Sequence, residues 1–166
     1  MIQLFTELQE KKNVRSNLSA LRASLKEATE EQKAQAIEFV RGHEDLVFGF
    51  LQEEDAKTRK NAALLLGDLA VQNALQPLWK AYTREQTLFV KSAYLEAMKA
   101  LHAEEILSQL KDRLAELEGE PVTEENRKHW EAELRALRAI LIQYEGIDTH
   151  HFDIKQKNNH VLLVTN

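Results

Sequence analysis

The sequence predicts an all-α protein built from stacked helix pairs, with a small β-hairpin at its C-terminal end. Residues that favour helices dominate the composition, and only five glycines and two prolines interrupt them. Apolar residues recur every three or four positions along most of the chain, which is the spacing of one helix face. A segment in the middle also repeats after 32 residues, which indicates a protein made of repeated units.

The domain organisation follows from length and composition. The 166 residues are sufficient for one domain with its own core. With 43% hydrophobic and 30% charged residues, the composition is typical of an ordered globular protein. We expect residues 1–146 to form a single helical repeat domain, and residues 147–166 to form the hairpin or to begin a further domain.

Three helices are predicted in the N-terminal part. Ser16 is a suitable N-cap for the second helix. Thr29 and Gln32 have the spacing of a capping box, which opens the third helix, and Gly42 ends it. The predicted helices are 2–12, 16–27 and 30–41.

The repeat in the middle of the chain relates residues 46–70 to residues 78–101. Each unit has a short first helix, a polar turn and a longer second helix. The apolar spacing predicts one buried stripe on each second helix, formed by residues 58, 62, 65, 66 and 69 and by residues 90, 94, 97, 98 and 101. The predicted unit bounds are 44–70 and 72–102.

The first unit contains an acid and, four residues later, an arginine. An alanine pair, a leucine-glycine pair and a further leucine follow them. These residues are Asp55, Arg59, Ala62, Ala63, Leu66, Gly67 and Leu69. This arrangement resembles the HEAT family of helical repeats, particularly the short bacterial kind. The second unit departs from it, since Lys91 replaces the arginine and Lys99 the glycine. The resemblance implies a right-handed α-α superhelix, in which Asp55, Arg59 and Lys91 join neighbouring units instead of contacting a ligand.

A third helix pair is predicted over residues 103–146. Gly119 and Pro121 indicate the turn between its helices, and Thr123 is a suitable cap. Residues 101–150 hold twelve acids and six bases, so this pair presents a strongly acidic face. A polar outer face is expected of the terminal unit in a stack of repeats.

After Gly146 the apolar spacing changes. "FDIK" alternates, "QKNN" is a polar connection, and "HVLLVT" is rich in β-branched residues, which predicts a hairpin joining residues 151–155 to residues 160–165. A lone hairpin is marginally stable in water, so it would pack on a helix or pair with another strand.

The predicted binding residues are the polar positions of the second helices, opposite the buried stripe. In a solenoid these helices line the concave surface, where partners usually bind, although any solvated helix face has a similar composition. The candidates are Lys57, Lys60, Asn61, Asp68, Ser92, Glu96 and Lys99.

The sequence offers no residues for catalysis or for a cofactor. It has no cysteine, glycine-rich phosphate loop or nucleophile elbow. His150, His151 and His160 cannot all share one face of a hairpin, and Glu125 with His129 lacks further ligands, so we predict no metal site. The large aromatic residues fall on or beside the apolar stripes and are expected in the core.

Charge and hydropathy bear on partners and location. The net charge of −5 disfavours nucleic acid, which needs a basic patch. The longest apolar runs, such as "AALLL", are too short to cross a membrane, and no signal peptide is visible, so a cytoplasmic protein is expected.

Three functions remain open from the sequence. The first is a non-catalytic scaffold that holds a protein partner or another domain of the same chain. The second is an accessory N-terminal domain of a longer enzyme, because "HVLLVTN" is similar to a first core strand of an S-adenosylmethionine-dependent RNA methyltransferase. The third is a HEAT-like DNA glycosylase with Asp68 as its carboxylate. A homodimer through the C-terminal strand is a further expectation.

Overall fold

The computed structural model describes residues 1–145, and every regular element in them is helical. They form two compact units, Met1–Ala103 and a second unit that begins at Glu104. The α-helices of the first unit are α1 (Ile2–Gln9), α2 (Val14–Leu25), α3 (Glu30–Gly42), α4 (Glu44–Gly49), α5 (Ala56–Asp68), α6 (Leu75–Arg84) and α7 (Leu88–Ala100). The second unit contains α8 (Leu107–Gly119) and α9 (Arg127–Glu145).

The predicted fold class needs a correction. The described residues are all-α and contain no strand, so the all-α part of the prediction fits them and the predicted β-hairpin is not seen. The hairpin was predicted for residues 147–166, which lie outside the described residues. Its basis was a short apolar run, and periodicity alone does not identify such a run as a strand.

The first helices agree with the prediction only in part. The capping box of α3 is present, because Thr29 Oγ1 accepts from the N–H of Gln32 and Gln32 Oε1 accepts from the N–H of Thr29. The second helix, however, begins at Val14, two residues before the predicted Ser16. Ser16 is therefore not the N-cap, and its hydroxyl donates to the carbonyl of Asn13.

The predicted bounds of those two helices are corrected as well. The structure ends α1 at Gln9 where the sequence predicted residue 12, and it ends α2 at Leu25 where the sequence predicted residue 27. Polar residues at helix ends carry no apolar spacing, which leaves such ends poorly determined by the sequence.

The two second helices, α5 and α7, begin and end 32 residues apart, at Ala56–Asp68 and Leu88–Ala100. All ten positions of the predicted stripes are buried, which confirms that prediction. Helix α5 packs against both α2 and α7, so its flanks as well as its apolar stripe are covered.

A glycine allows α5 and α7 to approach closely. A Cβ placed on Gly67 would lie 3.0 Å from the Cα of Ala97, closer than two carbons normally pack. Glycine removes that atom. Just beyond it, Ala70 has a positive φ of 52°, and the N–H groups of Ala70 and Val71 donate to the carbonyls of Gly67 and Leu66, which ends α5 in a Schellman turn.

The second unit is a helical hairpin joined by side-chain contacts. Arg113 makes a bidentate ion pair with Glu133, whose side chain is 2% exposed, at distances of 2.9 and 3.1 Å. The indole N–H of Trp130 donates to the carbonyl of Leu117. In the turn, Thr123 and Asn126 cap each other through two hydrogen bonds. These contacts hold α8 beside α9.

Candidate interaction surface

A group of ionisable side chains lies at the turns of the two repeated helix pairs, and we call Arg59, Glu85 and Tyr94 the Arg59 network. Glu85 and Tyr94 are buried, and Arg59 is half-buried. Arg59 on α5 donates from Nε and Nη2 to the two carboxylate oxygens of Glu85, each at 2.9 Å. Its Nη1 donates to the carbonyls of Glu53 and Glu54, both at 2.8 Å. The Tyr94 hydroxyl donates to Glu85 Oε1 at 3.2 Å and lies 3.4 Å from the carbonyl of Leu51.

The pKa values of the network follow from these contacts. Burial raises the pKa of the Glu85 carboxyl, but the hydrogen bonds from Arg59 and from the N–H of Thr87 lower it by more, so it lies below the ordinary value of 4.5. The hydrogen bond to Glu85 raises the pKa of Arg59. Burial, followed by the Glu85 charge, raises the pKa of Tyr94. All three side chains therefore hold their ordinary charge states at neutral pH.

This arrangement connects two helix pairs. Arg59 belongs to the second helix of one pair and Glu85 to the turn of the next, 26 residues away. Asp55 instead caps α5, since its Oδ2 accepts from the N–H and the hydroxyl of Thr58, and its contact with Arg15 is long at 3.4 Å. The Lys91 ammonium lies 5.3 Å from the centre of the Tyr82 ring, a cation–π contact.

The binding residues predicted from the sequence, which we call the second-helix face, are only partly open to solvent. Lys57, Ser92, Glu96 and Lys99 are exposed, and Lys60 is half-buried. Asn61 was expected on the surface but is buried, 8% exposed, and its amide lies 3.5 Å from the carbonyl of Arg15 on α2. That placement corrects the prediction, because α2 covers this side of α5.

Asp68 forms an ion pair with a neighbouring arginine. Its carboxylate accepts a hydrogen bond of 2.7 Å from Arg22 on α2, and both side chains are partly exposed. The pair borders a pocket of about 430 Å³ lined also by Leu25, Ile37 and Leu69. A carboxylate tied to a guanidinium in this way gives little support to Asp68 as the catalytic group of a glycosylase.

A second pocket of about 370 Å³ lies between α6 and the end of the preceding first helix. We call it the Lys80 pocket. Its apolar residues come from both sides, and its rim carries two amides and two cations. The lining residues are Phe48, Leu51, Gln52, Gln76, Pro77, Lys80, Ala81 and Arg84.

Lys80 and Arg84 are exposed, one turn apart, and neither side chain hydrogen-bonds or ion-pairs with another residue in the part of the chain that the structure describes. The sequence prediction did not include either residue among the binding candidates. A signal was present, because α6 carries these two bases and no acid. The two bases alone did not indicate a pocket, because Phe48 and Leu51 come to lie beside Lys80 and Arg84 only when two helix pairs stack.

For metals and membranes, the structure bears on the described residues only. Within residues 1–145, no group of three histidines or acids could hold a metal ion. His129 is half-buried in α9, whereas His150, His151 and His160 lie outside the described residues. No helix in residues 1–145 has the length and apolar content needed to span a bilayer.

No family model matches this chain, and neither a curated protein nor a solved structure is significantly similar to it.

Proposed function

We propose that this chain is a non-catalytic interaction scaffold, in which stacked helix pairs hold a protein partner. The main support is the contrast between its buried and its exposed charges. Arg59, Glu85 and Tyr94 form hydrogen bonds with one another and with the backbone. Lys80 and Arg84, in contrast, are exposed beside an apolar pocket.

This contrast favours binding over catalysis for a physical reason. A catalytic acid or base needs access to a substrate and a pKa near the working pH. In the Arg59 network the contacts stabilise the ordinary charge states, which leaves no group with a pKa near neutral pH, and Glu85 and Tyr94 are buried. Protein interfaces are built from apolar centres with polar rims, which is the composition of the Lys80 pocket.

The two alternative functions have less support. The accessory-domain hypothesis depends on the C-terminal stretch, which lies outside the described residues. The glycosylase hypothesis depends on Asp68, which is held by Arg22. We therefore retain the scaffold as the proposal.

Site-specific photocrosslinking in cells that naturally produce the protein tests this proposal. A photoreactive residue is placed at Gln76 in the Lys80 pocket or at Ser92 on the second-helix face, with exposed Ala34 on α3 as the control. We expect one discrete protein adduct from Gln76 or Ser92 and none from Ala34. The purified partner should then bind the unmodified chain in calorimetry. Identical adducts from all three positions, or no adduct from Gln76 and Ser92, would contradict a scaffold function.

A further inference from the structure

We infer that the Lys80 pocket is the docking site for an acidic segment of the partner protein, which inserts an apolar side chain between the helix pairs and places carboxylates against Lys80 and Arg84. This inference rests on the proposed scaffold function and specifies its surface and the chemistry of its partner. It concerns residues in one compact unit, Met1–Ala103.

The charge of the pocket is the first argument. Lys80 and Arg84 lie one turn apart on α6, so the two cations repel each other, and like charges at this spacing destabilise a helix. None of the described residues lining the pocket is acidic. The helix dipole accounts for a base in the last turn, where Arg84 lies, but not for Lys80 a turn earlier. A carboxylate from outside would relieve the repulsion.

The shape and the remaining side chains are the second argument. Phe48, Leu51, Pro77 and Ala81 form an apolar floor, and the volume of about 370 Å³ is within the range of pockets that enclose a bound group. Gln52 and Gln76 are exposed at its rim. Each amide can both donate to and accept from a peptide backbone. The pocket therefore combines contacts for an apolar side chain, for a backbone and for carboxylates.

An acidic peptide fits this pocket better than a nucleic acid. Nucleic-acid binding requires several cations spread along a surface to replace counterions. Residues 1–103 contain fourteen acids and fourteen bases, and the adjoining cleft, which shares Arg84 with the pocket, is bordered by Glu53 and Glu54. Two cations flanked by acids suit a short acidic segment and not an extended phosphate backbone.

Fluorescence polarisation with the intact chain tests the inference. The probe is a fluorescein-labelled peptide in which leucine and phenylalanine alternate with glutamate, and the comparison peptide has lysine in place of each glutamate. The test variant is K80E/R84E. The control variant is K11E/R41E, which changes the net charge by the same amount at two exposed bases outside both the Lys80 pocket and the second-helix face. Circular dichroism verifies that both variants keep their helices.

We expect K80E/R84E to weaken binding of the acidic peptide at least about tenfold, because two charged contacts become repulsive. K11E/R41E should change it less than about twofold, and added salt should weaken it. The lysine peptide should not bind.

Other outcomes overturn the inference. Equal weakening by both variants would mean general charge attraction. A third variant, K57E/K60E, that weakens binding more than K80E/R84E does would place binding on the second-helix face. Tighter binding of a labelled single-stranded DNA would indicate a nucleic-acid surface. A salt-sensitive dimer that K80E/R84E abolishes in light scattering would make a second copy the occupant. If the peptide does not bind while crosslinking at Ser92 succeeds, the inference fails and the scaffold function stands.

Discussion

At the scale of single residues, Arg59 and Glu85 contribute most clearly to the connection between helix pairs. Their side chains are 17% and 4% exposed, and the guanidinium also satisfies two carbonyls of the preceding turn. A buried ion pair adds little net stability compared with a well-packed apolar pair, but loss of one partner leaves an uncompensated charge. The effect of replacing either residue on the free energy of unfolding therefore depends strongly on whether the other is present.

Replacement of the arginine alone should be costly. We expect Arg59→Leu to lower the free energy of unfolding by about 3–5 kcal/mol, because it leaves the Glu85 carboxylate buried without its cation. The double variant Arg59→Leu with Glu85→Leu should be more stable than Arg59→Leu. Urea unfolding measures both. Glu10→Gln, in the exposed pair with Lys12, is the control and should cost less than about 1 kcal/mol. A double variant less stable than the single one would contradict this account.

The ion pair of Arg59 with Glu85 also makes the free energy of unfolding depend on pH in the acid range. The folded-state pKa of Glu85 is depressed, so its contribution is present above the unfolded value near 4.5 and is lost as pH falls through the lower folded value. The stability difference between the wild type and the double variant should therefore move against the wild type as pH falls below about 4.5. Urea midpoints at a series of acid pH values check this. A difference that is constant with pH would show that Glu85 does not titrate differently in the two states.

At the scale of helices, α5 combines local and tertiary requirements. Asp55 starts it with a side-chain cap, and Ala70 ends it in a left-handed turn. Thr87, the residue 32 positions after Asp55, begins α7 without a side-chain cap, and its N–H instead donates to Glu85. The two second helices therefore have the same length but are stabilised differently at their N-termini.

At Gly67, helix packing and helix propensity predict opposite effects of an alanine substitution on stability. Propensity alone favours Gly→Ala in a helix by about 1 kcal/mol. We expect Gly67→Ala to destabilise instead, by about 1 kcal/mol or more, because the new Cβ would press on the backbone of Ala97 at 3.0 Å. Gly49→Ala in α4 is the matched control, since nothing lies within 4 Å there, and it should stabilise. Thermal unfolding of the two variants should give shifts of opposite sign, and stabilisation by both would refute the packing argument.

At the scale of the whole molecule, the described chain contains two compact units with different charge. Residues 1–103 carry equal numbers of acids and bases, whereas residues 104–145 hold eleven acids and six bases. Each unit has its own buried ion pair, Arg59 with Glu85 in the first and Arg113 with Glu133 in the second. Local opening of a protein often follows such units.

Hydrogen exchange can detect this division. We expect Arg113→Leu to reduce amide protection mainly in α8 and α9, because the Glu133 side chain is only 2% exposed and would lose the guanidinium that binds both of its oxygens. Arg59→Leu should reduce protection mainly in α5 and α7. Each variant is the control for the other. Equal loss of protection throughout residues 1–145 in both variants would mean that the chain opens as one unit.

The sequence by itself determined the features that arise from local spacing. Helix periodicity identified both buried stripes, and the Thr29 and Gln32 spacing identified the capping box, because the atoms involved lie within a few turns of one helix. The class of the fold was correct only in its helical part. The predicted hairpin relied on a short run for which local spacing is ambiguous.

Only the tertiary structure decided which residues meet across helices. Glu85 as the partner of Arg59, the burial of Asn61 under α2, and the close approach of Gly67 to Ala97 depend on how separate helices stack. The same is true of the Lys80 pocket, whose two walls are about 30 residues apart in the chain. Side-chain spacing within one helix carries no information on the neighbour that will cover it, and for this reason the candidate site emerged from the packing of the helix pairs.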